Sequence, residues 1–163
     1  MARLKVFTDG ASRGNPGEAG IGIVVYDEKD SIVRTWNEYL GKTTNNQAEY
    51  MALIRGVQLL KKLKESMTID FVEFHADSEL MVKQVKLEYK VKDEGLKPLF
   101  KKFNSEMNEL KVPYTIKHVE RKLNKEADKL VLLITIIENI KRQKGENPQN
   151  TANSYSRYLQ ILY

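Results

Sequence analysis

The sequence predicts a mixed α/β fold: a five-stranded mixed sheet, built from a three-strand antiparallel meander plus parallel strands, with helices on both faces. Three observations predict it. β-rich runs with turn formers between them fill the first forty residues. A capped amphipathic stretch over 45–64 then begins an alternation of helices and strands, so the element order reads βββαβααβα. The length of 163 residues, 41% hydrophobic and 30% charged, suits one core rather than two.

Residues 3–8 alternate, with Leu4 and Val6 on one face and Lys5 on the other, and lead to Asp9-Gly10, so they read as a strand entering a loop. The loop covers 10–17 (Gly-Ala-Ser-Arg-Gly-Asn-Pro-Gly), where Gly14, Pro16 and Gly17 are turn formers. Residues 20–26 and 31–40 are β-rich runs around the turn Asp27-Glu28-Lys29-Asp30. Thr44-Asn45-Asn46-Gln47 matches a capping box, in which the Thr hydroxyl and the Gln amide satisfy free N–H groups at a helix start. Ala48, Met51, Ala52, Leu59, Leu60 and Leu63 share one stripe of that helix, over 45–64. A fourth strand is expected over 69–76, a short helix over 78–85 and a charged loop over 86–95. Pro98 suits the first turn of a helix reaching about residue 110, a fifth strand follows over 112–119, and a last helix starts at 124. Residues 146–154 read as a polar linker, and 155–163 as a short docking strand or helix.

Composition narrows the chemistry. With no cysteine, a Cys-ligated zinc site and a Cys nucleophile are excluded, and a cytoplasmic setting is expected. The longest apolar run, 130–137 with Thr135 inside it, is eight residues where a membrane helix needs about 20, and charge within the first six positions argues against a secretory leader. The net charge of +5 is uneven: residues 1–82 carry 10 basic and 12 acidic side chains, residues 83–163 carry 17 and 10. A basic second half favours a polyanionic partner, although a lysine-rich solvated surface accounts for it equally well.

Four acids fall at element boundaries: Asp9 at the end of the first strand, Glu49 in the first turns of the capped helix, Asp77 where the fourth strand ends, and Asp128 near the start of the last helix. Ends of neighbouring strands let them converge. Converging carboxylates repel and titrate abnormally unless divalent cations lie between them. All-oxygen ligation without cysteine points to Mg²⁺ or Mn²⁺ rather than zinc. Any one of these acids alone reads as a turn cap or a solvated side chain; the sequence around all four together does not.

Phe7-Thr8-Asp9-Gly10-Ala11-Ser12-Arg13-Gly14-Asn15-Pro16-Gly17, Thr44-Asn45-Asn46-Gln47-Ala48-Glu49, Ala76-Asp77-Ser78 and Asn124-Lys125-Glu126-Ala127-Asp128 stand in an order and spacing that resembles a type 1 ribonuclease H across about residues 3–131. The resemblance implies the ribonuclease H-like fold and an endoribonuclease that hydrolyses the RNA strand of RNA/DNA hybrids, leaving 5′-phosphate and 3′-hydroxyl ends. It implies two Mg²⁺ per site, with Mn²⁺ as a substitute, held by Asp9, Glu49, Asp77 and Asp128: Asp9 bridging, Glu49 and Asp77 completing one position and Asp128 the other. It further implies that Gly10, Ser12, Arg13 and Asn15, with Asn45, Asn46 and Gln47, contact the RNA sugars and hybrid bases. Sensing a 2′-hydroxyl in a minor groove suits such short polar groups. Thr44, a helix cap first, would grip a DNA phosphate at the helix N-terminus. His118 stands at the family spacing for a residue assisting product release or orienting the water; compact members use an arginine where Arg121 stands, and His118 is preferred. His75 reads as a packed or edge histidine.

The long basic protrusion of many members is replaced by residues 86–95, so a compact form is expected; seven lysines against three acids over 83–102, with Tyr89, form a reduced phosphate-binding surface. The stretch 131–137 is apolar on every face, which predicts a helix buried all round, covered by residues 155–163 or by a second chain, unless the C-terminus is atypical. The expected organisation is a catalytic domain over 1–144 and an extension over 145–163 that docks on it or mediates dimerisation, in a protein that is monomeric rather than dimeric and has no membrane partner. Rival readings are a broader nuclease also cleaving double-stranded RNA and a catalytically silent nucleic-acid-binding module; the complete acid quartet argues against the latter.

Overall fold

The computed structural model describes residues 2–145. Its elements are β1 (Arg3–Gly14), β2 (Gly17–Tyr26), β3 (Ile32–Thr43), α1 (Asn45–Lys64), β4 (Phe71–Ala76), α2 (Glu79–Val85), α3 (Lys97–Leu110), β5 (Tyr114–His118) and α4 (Lys125–Gln143), with a 3-10 turn at Arg121–Leu123. The five strands form one sheet in the order β3-β2-β1-β4-β5. β3, β2 and β1 pair antiparallel, and β1, β4 and β5 pair parallel.

The segment expected as a loop over 10–17 is strand instead, apart from its turn. β1 continues through Asp9 to Gly14, and its ladder with β2 closes at Gly14↔Gly17. Small side chains over 10–12 permit the pairing, while the turn chemistry is confined to the tip: Gly14 sits at φ 84, and a Cβ on Gly17 would lie 1.7 Å from the Arg13 carbonyl oxygen. The parallel ladder with β4 ends earlier, at Thr8↔Ala76. From Asp9 onward β1 has a strand on one side only, so Asp9 marks the end of the parallel ladder rather than the end of its strand.

The two faces of β2 explain its Gly20-Ile21-Gly22-Ile23 alternation. Ile21, Ile23 and Val25 join Leu4 and Val6 of β1, Phe74 of β4, Leu53, Val57 and Leu60 of α1, and Phe103 and Leu110 of α3 in the main core. Phe74, Phe103 and Tyr114 meet edge to face there, with centroids 5.8 to 6.2 Å apart. On the opposite face the glycines admit α4: a Cβ on Gly22 would be 2.2 Å from the Ala127 carbonyl oxygen, and one on Gly20 2.8 Å from Ile134 Cγ2.

α1 begins at the predicted capping box, with the Thr44 hydroxyl accepting from the Gln47 N–H and the Gln47 side chain accepting from the Thr44 N–H. α3 carries its proline in the first turn as expected. Residues 86–96 connect α2 to α3 with no long protrusion.

Among the described residues α4 is covered on one face only. Leu130, Val131, Ile134 and Thr135 are buried, whereas Leu132, Ile136 and Ile140 are 51%, 40% and 47% exposed. The helix lies on the β2–β3 side of the sheet and so has one face to bury. The expected docking or dimerisation through 146–163 falls outside the described residues. Among the described residues no helix is long and apolar enough to cross a membrane.

Candidate active site

Asp9, opposite Gly22 in the β1–β2 ladder, is 4% exposed. Gly10 beside it lets the start of α1 approach the strand: a Cβ there would lie 2.3 Å from the Ala48 carbonyl oxygen and 2.7 Å from the Glu49 nitrogen. This close approach brings the buried Glu49 to Asp9. Asp77 follows the last residue of β4, half-buried, and Asp128 stands exposed in the first turn of α4. Carboxylate oxygens of Asp9, Glu49 and Asp77 all lie within 4.8 Å of one another. Asp128 lies outside that trio but near enough to raise the Asp9 carboxyl. Thus the structure brings all four predicted acids to one place, Asp128 by way of Asp9.

Their electrostatics follow from this crowding. Burial, then the neighbouring Asp77 and Asp128 carboxylates, push the Asp9 carboxyl up to about 7. Burial, then the Asp9 and Asp77 charges, hold Glu49 well above the usual carboxylate range. Glu49 Oε2 is buried without a hydrogen-bond partner. An orphaned carboxylate oxygen inside an all-oxygen trio is the donor set of a hard divalent cation, so these residues fit Mg²⁺ or Mn²⁺.

The β1–β2 hairpin tip is tied to the start of α1. Ser12 N–H donates to Asn45 Oδ1 at 2.7 Å, the Ser12 hydroxyl donates to the Gly14 carbonyl at 2.6 Å, and Asn45 N–H donates to Asn15 Oδ1 at 3.1 Å. Arg13 and Asn46 are exposed on the same rim, and Gln47, besides its capping bond, accepts from the Thr43 hydroxyl. Ser12, Asn15, Thr44, Asn45 and Gln47 are thus linked along one rim, with Arg13 and Asn46 exposed on its two strands of chain and Gly10 buried.

His118 and Arg121 do not join the trio. His118 ends β5 opposite Ala76 and is exposed; Arg121 is exposed in the 3-10 turn. His75 is the packed histidine expected, stacked on Phe7 with centroids 4.4 Å apart, and burial lowers its pKa. Lys83 lies over the Tyr89 ring at 4.9 Å and donates to its hydroxyl, beside a cavity of about 550 Å³ lined by Leu87, Tyr89, Lys90, Lys97, Phe100 and Lys101.

Sequence reasoning missed one pair of contacts here. Asn37 on β3 and Asn124 at the head of α4 are each 1% exposed. Asn37 Nδ2 donates to the Leu130 carbonyl at 3.1 Å, and Asn124 Nδ2 to the Thr8 carbonyl at 2.8 Å. The available signal was an amide in a β-rich run, on the same face as Thr35 and Tyr39.

Residues 7–133 match the family described as Reverse transcriptase-like. The chain is similar to a ribonuclease HI of Halobacterium salinarum, 34% identical over 131 residues, which are 78% of this chain and 62% of that protein. A bifunctional protein of Mycobacterium tuberculosis is 35% identical over 99 residues, 60% of this chain and 26% of its own length. The chain thus spans under two thirds of the length of these curated relatives. Among solved structures, LC11-RNase H1 in complex with an RNA/DNA hybrid superposes with a TM-score of 0.75 at 41% identity, covering 78% of this chain and 93% of the other. The RNase H1 from the halophilic archaeon Halobacterium salinarum superposes with a TM-score of 0.73 at 33% identity, covering 79% and 94%.

Proposed function

The chain belongs to the Reverse transcriptase-like family and, within it, to the type 1 ribonucleases H, and on that premise we propose that it is an endoribonuclease hydrolysing the RNA strand of RNA/DNA hybrids. The observation that carries the reading is the acid cluster: three carboxylates within 4.8 Å, a fourth near enough to act on Asp9, and a buried Glu49 oxygen with no partner. Asp9, Glu49 and Asp77 would hold one divalent cation, and Asp9 with Asp128 a second; Mg²⁺ suits both, with Mn²⁺ as a substitute. When bound, such a pair supplies activation of a water on one side of the scissile phosphate and stabilisation of the departing 3′ oxygen on the other, leaving 5′-phosphate and 3′-hydroxyl ends.

The chain's own residues orient the substrate. The Ser12–Asn45–Asn15 bonds hold the hairpin tip against the start of α1, so their amides and hydroxyl face the minor groove as one rigid set. Thr44 and the first N–H groups of α1 would receive a DNA phosphate. The solved hybrid complex of a relative at 41% identity supports hybrid as the substrate. Lys83, Tyr89, Lys90, Lys97 and Lys101 would carry the duplex by phosphate contacts of modest, salt-dependent strength. His118 or Arg121, on the β5–α4 connection, would assist product release or orient the water. We further propose that the protein acts as a monomer, in the cytoplasm.

Cleavage of an end-labelled hybrid with Mg²⁺, by wild type and by Asp9→Asn, tests this reading. Wild type should cut the RNA strand and the variant should lose activity by several orders of magnitude; hybrid binding with no cleavage by either protein rejects the enzyme reading in favour of a silent binding module. A matched RNA duplex in the same assay decides between hybrid selectivity and a broader nuclease. Single-turnover against multiple-turnover rates of His118→Ala and Arg121→Ala identify which residue assists turnover.

A further inference from the structure

Asp128 differs from the other three acids in how it is held. It is exposed, on a surface helix, and its place opposite Asp9 is set by where α4 sits on the sheet. Three contacts at residues 124, 127 and 130 fix that end of the helix. Asn124 reaches from the head of α4 to the Thr8 carbonyl, one residue before Asp9, while its side chain makes no capping bond to its own helix. The Ala127 carbonyl packs on bare Gly22, the residue opposite Asp9. The Leu130 carbonyl receives the Asn37 amide from the edge strand.

Asn37 is the informative member. It is 1% exposed, its Oδ1 is buried with no hydrogen-bond partner, and its neighbour on the same strand and face, Thr35, is also buried. A buried amide that satisfies one of its two ends is a net cost to folding compared with an apolar side chain of equal size. Packing therefore does not account for an amide there; the single bond to Leu130 does. That carbonyl lies two residues past Asp128, so the bond fixes the translation and rotation of the helix segment from which Asp128 projects.

We propose that Asn37 is a positioning residue for the metal site: through the Leu130 carbonyl it sets the placement of Asp128 against Asp9, and with it the cation affinity of the Asp9–Asp128 half of the site. This rests on the metal-dependent reading above. Partners that orient a ligand from behind typically change metal affinity by about 10–100-fold when removed.

The test follows backbone amide shifts of the metal-free protein during Mg²⁺ titration, in wild type, Asn37→Leu, Asn37→Ser and the control Thr35→Val. In Asn37→Leu, branched like Asn but unable to donate, the apparent Mg²⁺ dissociation constant read at the Asp128 and Lys129 amides should weaken about tenfold, while that read at Gly10 and Ser78 stays within twofold of wild type. Asn37→Ser, too short to reach Leu130, should do the same and covers the case in which the leucine variant does not fold. Thr35→Val should change neither constant. In cleavage assays the Asn37 variants should need about tenfold more Mg²⁺ for half-maximal rate, with kcat at saturating Mg²⁺ and KM for the hybrid unchanged. Unchanged constants at Asp128 and Lys129, or equal weakening at both ends of the site, overturn the proposal. Wild type with no Mg²⁺-dependent shifts sinks the metal reading itself, and this proposal with it.

Discussion

Crowded carboxylates without a cation should make the protein less stable as pH rises, and Asp9 shows by how much. Its carboxyl is raised from 3.8 to about 7, with burial the leading cause and neighbouring acids next. A group that binds its proton more tightly when folded contributes stability that is full below its unfolded pKa and is lost as pH climbs through the folded one. At about 1.36 kcal/mol per pKa unit, the whole effect is about 4 kcal/mol, of which about 2–3 kcal/mol falls between pH 5 and pH 8. Asp9→Asn removes this titration while keeping shape. In urea denaturation with a chelator present, the variant should be more stable than wild type at pH 8, and the gap between them should widen by about 2–3 kcal/mol from pH 5 to pH 8. Millimolar Mg²⁺ at pH 8 should narrow the gap by stabilising wild type alone. Parallel pH curves for the two proteins, or a variant less stable than wild type at pH 8 in chelator, would refute the convergence of these acids.

Other consequences are as direct. Gly10→Ala places a Cβ 2.3 Å from the Ala48 carbonyl oxygen, so the first turns of α1 must move; a loss of about 1–3 kcal/mol in denaturation and a sharp fall in cleavage are expected. Thr44→Ala removes the capping bond to the Gln47 N–H and should cost about 1 kcal/mol, read as a lower urea midpoint at unchanged slope. Phe74→Ala empties a fully buried position between Phe103 and Tyr114 and should cost about 3–5 kcal/mol by the same measurement. Lys83→Gln should weaken hybrid binding and flatten the slope of log affinity against log salt by about 0.7–0.9 if that lysine meets one phosphate; an unchanged slope removes Lys83 from the interface.

Much of the site was legible in the sequence because its signals are short in range. The Thr44–Gln47 box lies within four residues and states where α1 begins, which places Glu49 in its second turn. The alternation of Gly20-Ile21-Gly22-Ile23 already carried two different faces, although the bare face is intelligible only once α4 is seen against it. Residues 10–17 were misread for the opposite reason. Gly10, Ala11 and Ser12 have turn-like composition, and whether such residues extend or bend depends on a partner strand, here Ala19, Gly20 and Ile21, that local propensity does not contain. In the all-apolar stretch of α4, composition marks what could be buried; among the described residues one sheet face covers one side of the helix and leaves Leu132 and Ile136 exposed, while the expected cover by residues 155–163 lies outside the described residues.

The sequence by itself determined the family, the order of elements, and the identity of four carboxylates with the rim of amides beside them, because motif spacing and capping are properties of neighbouring residues. Only the tertiary structure decided how those groups act on one another. The shift of Asp9 to about 7, the unpartnered Glu49 oxygen and the reach of Asn37 to Leu130 across 93 residues arise from distance and burial. Both of those come into being when β1 loses its β4 neighbour at Asp9 and α1 and α4 close on it from opposite faces of the sheet.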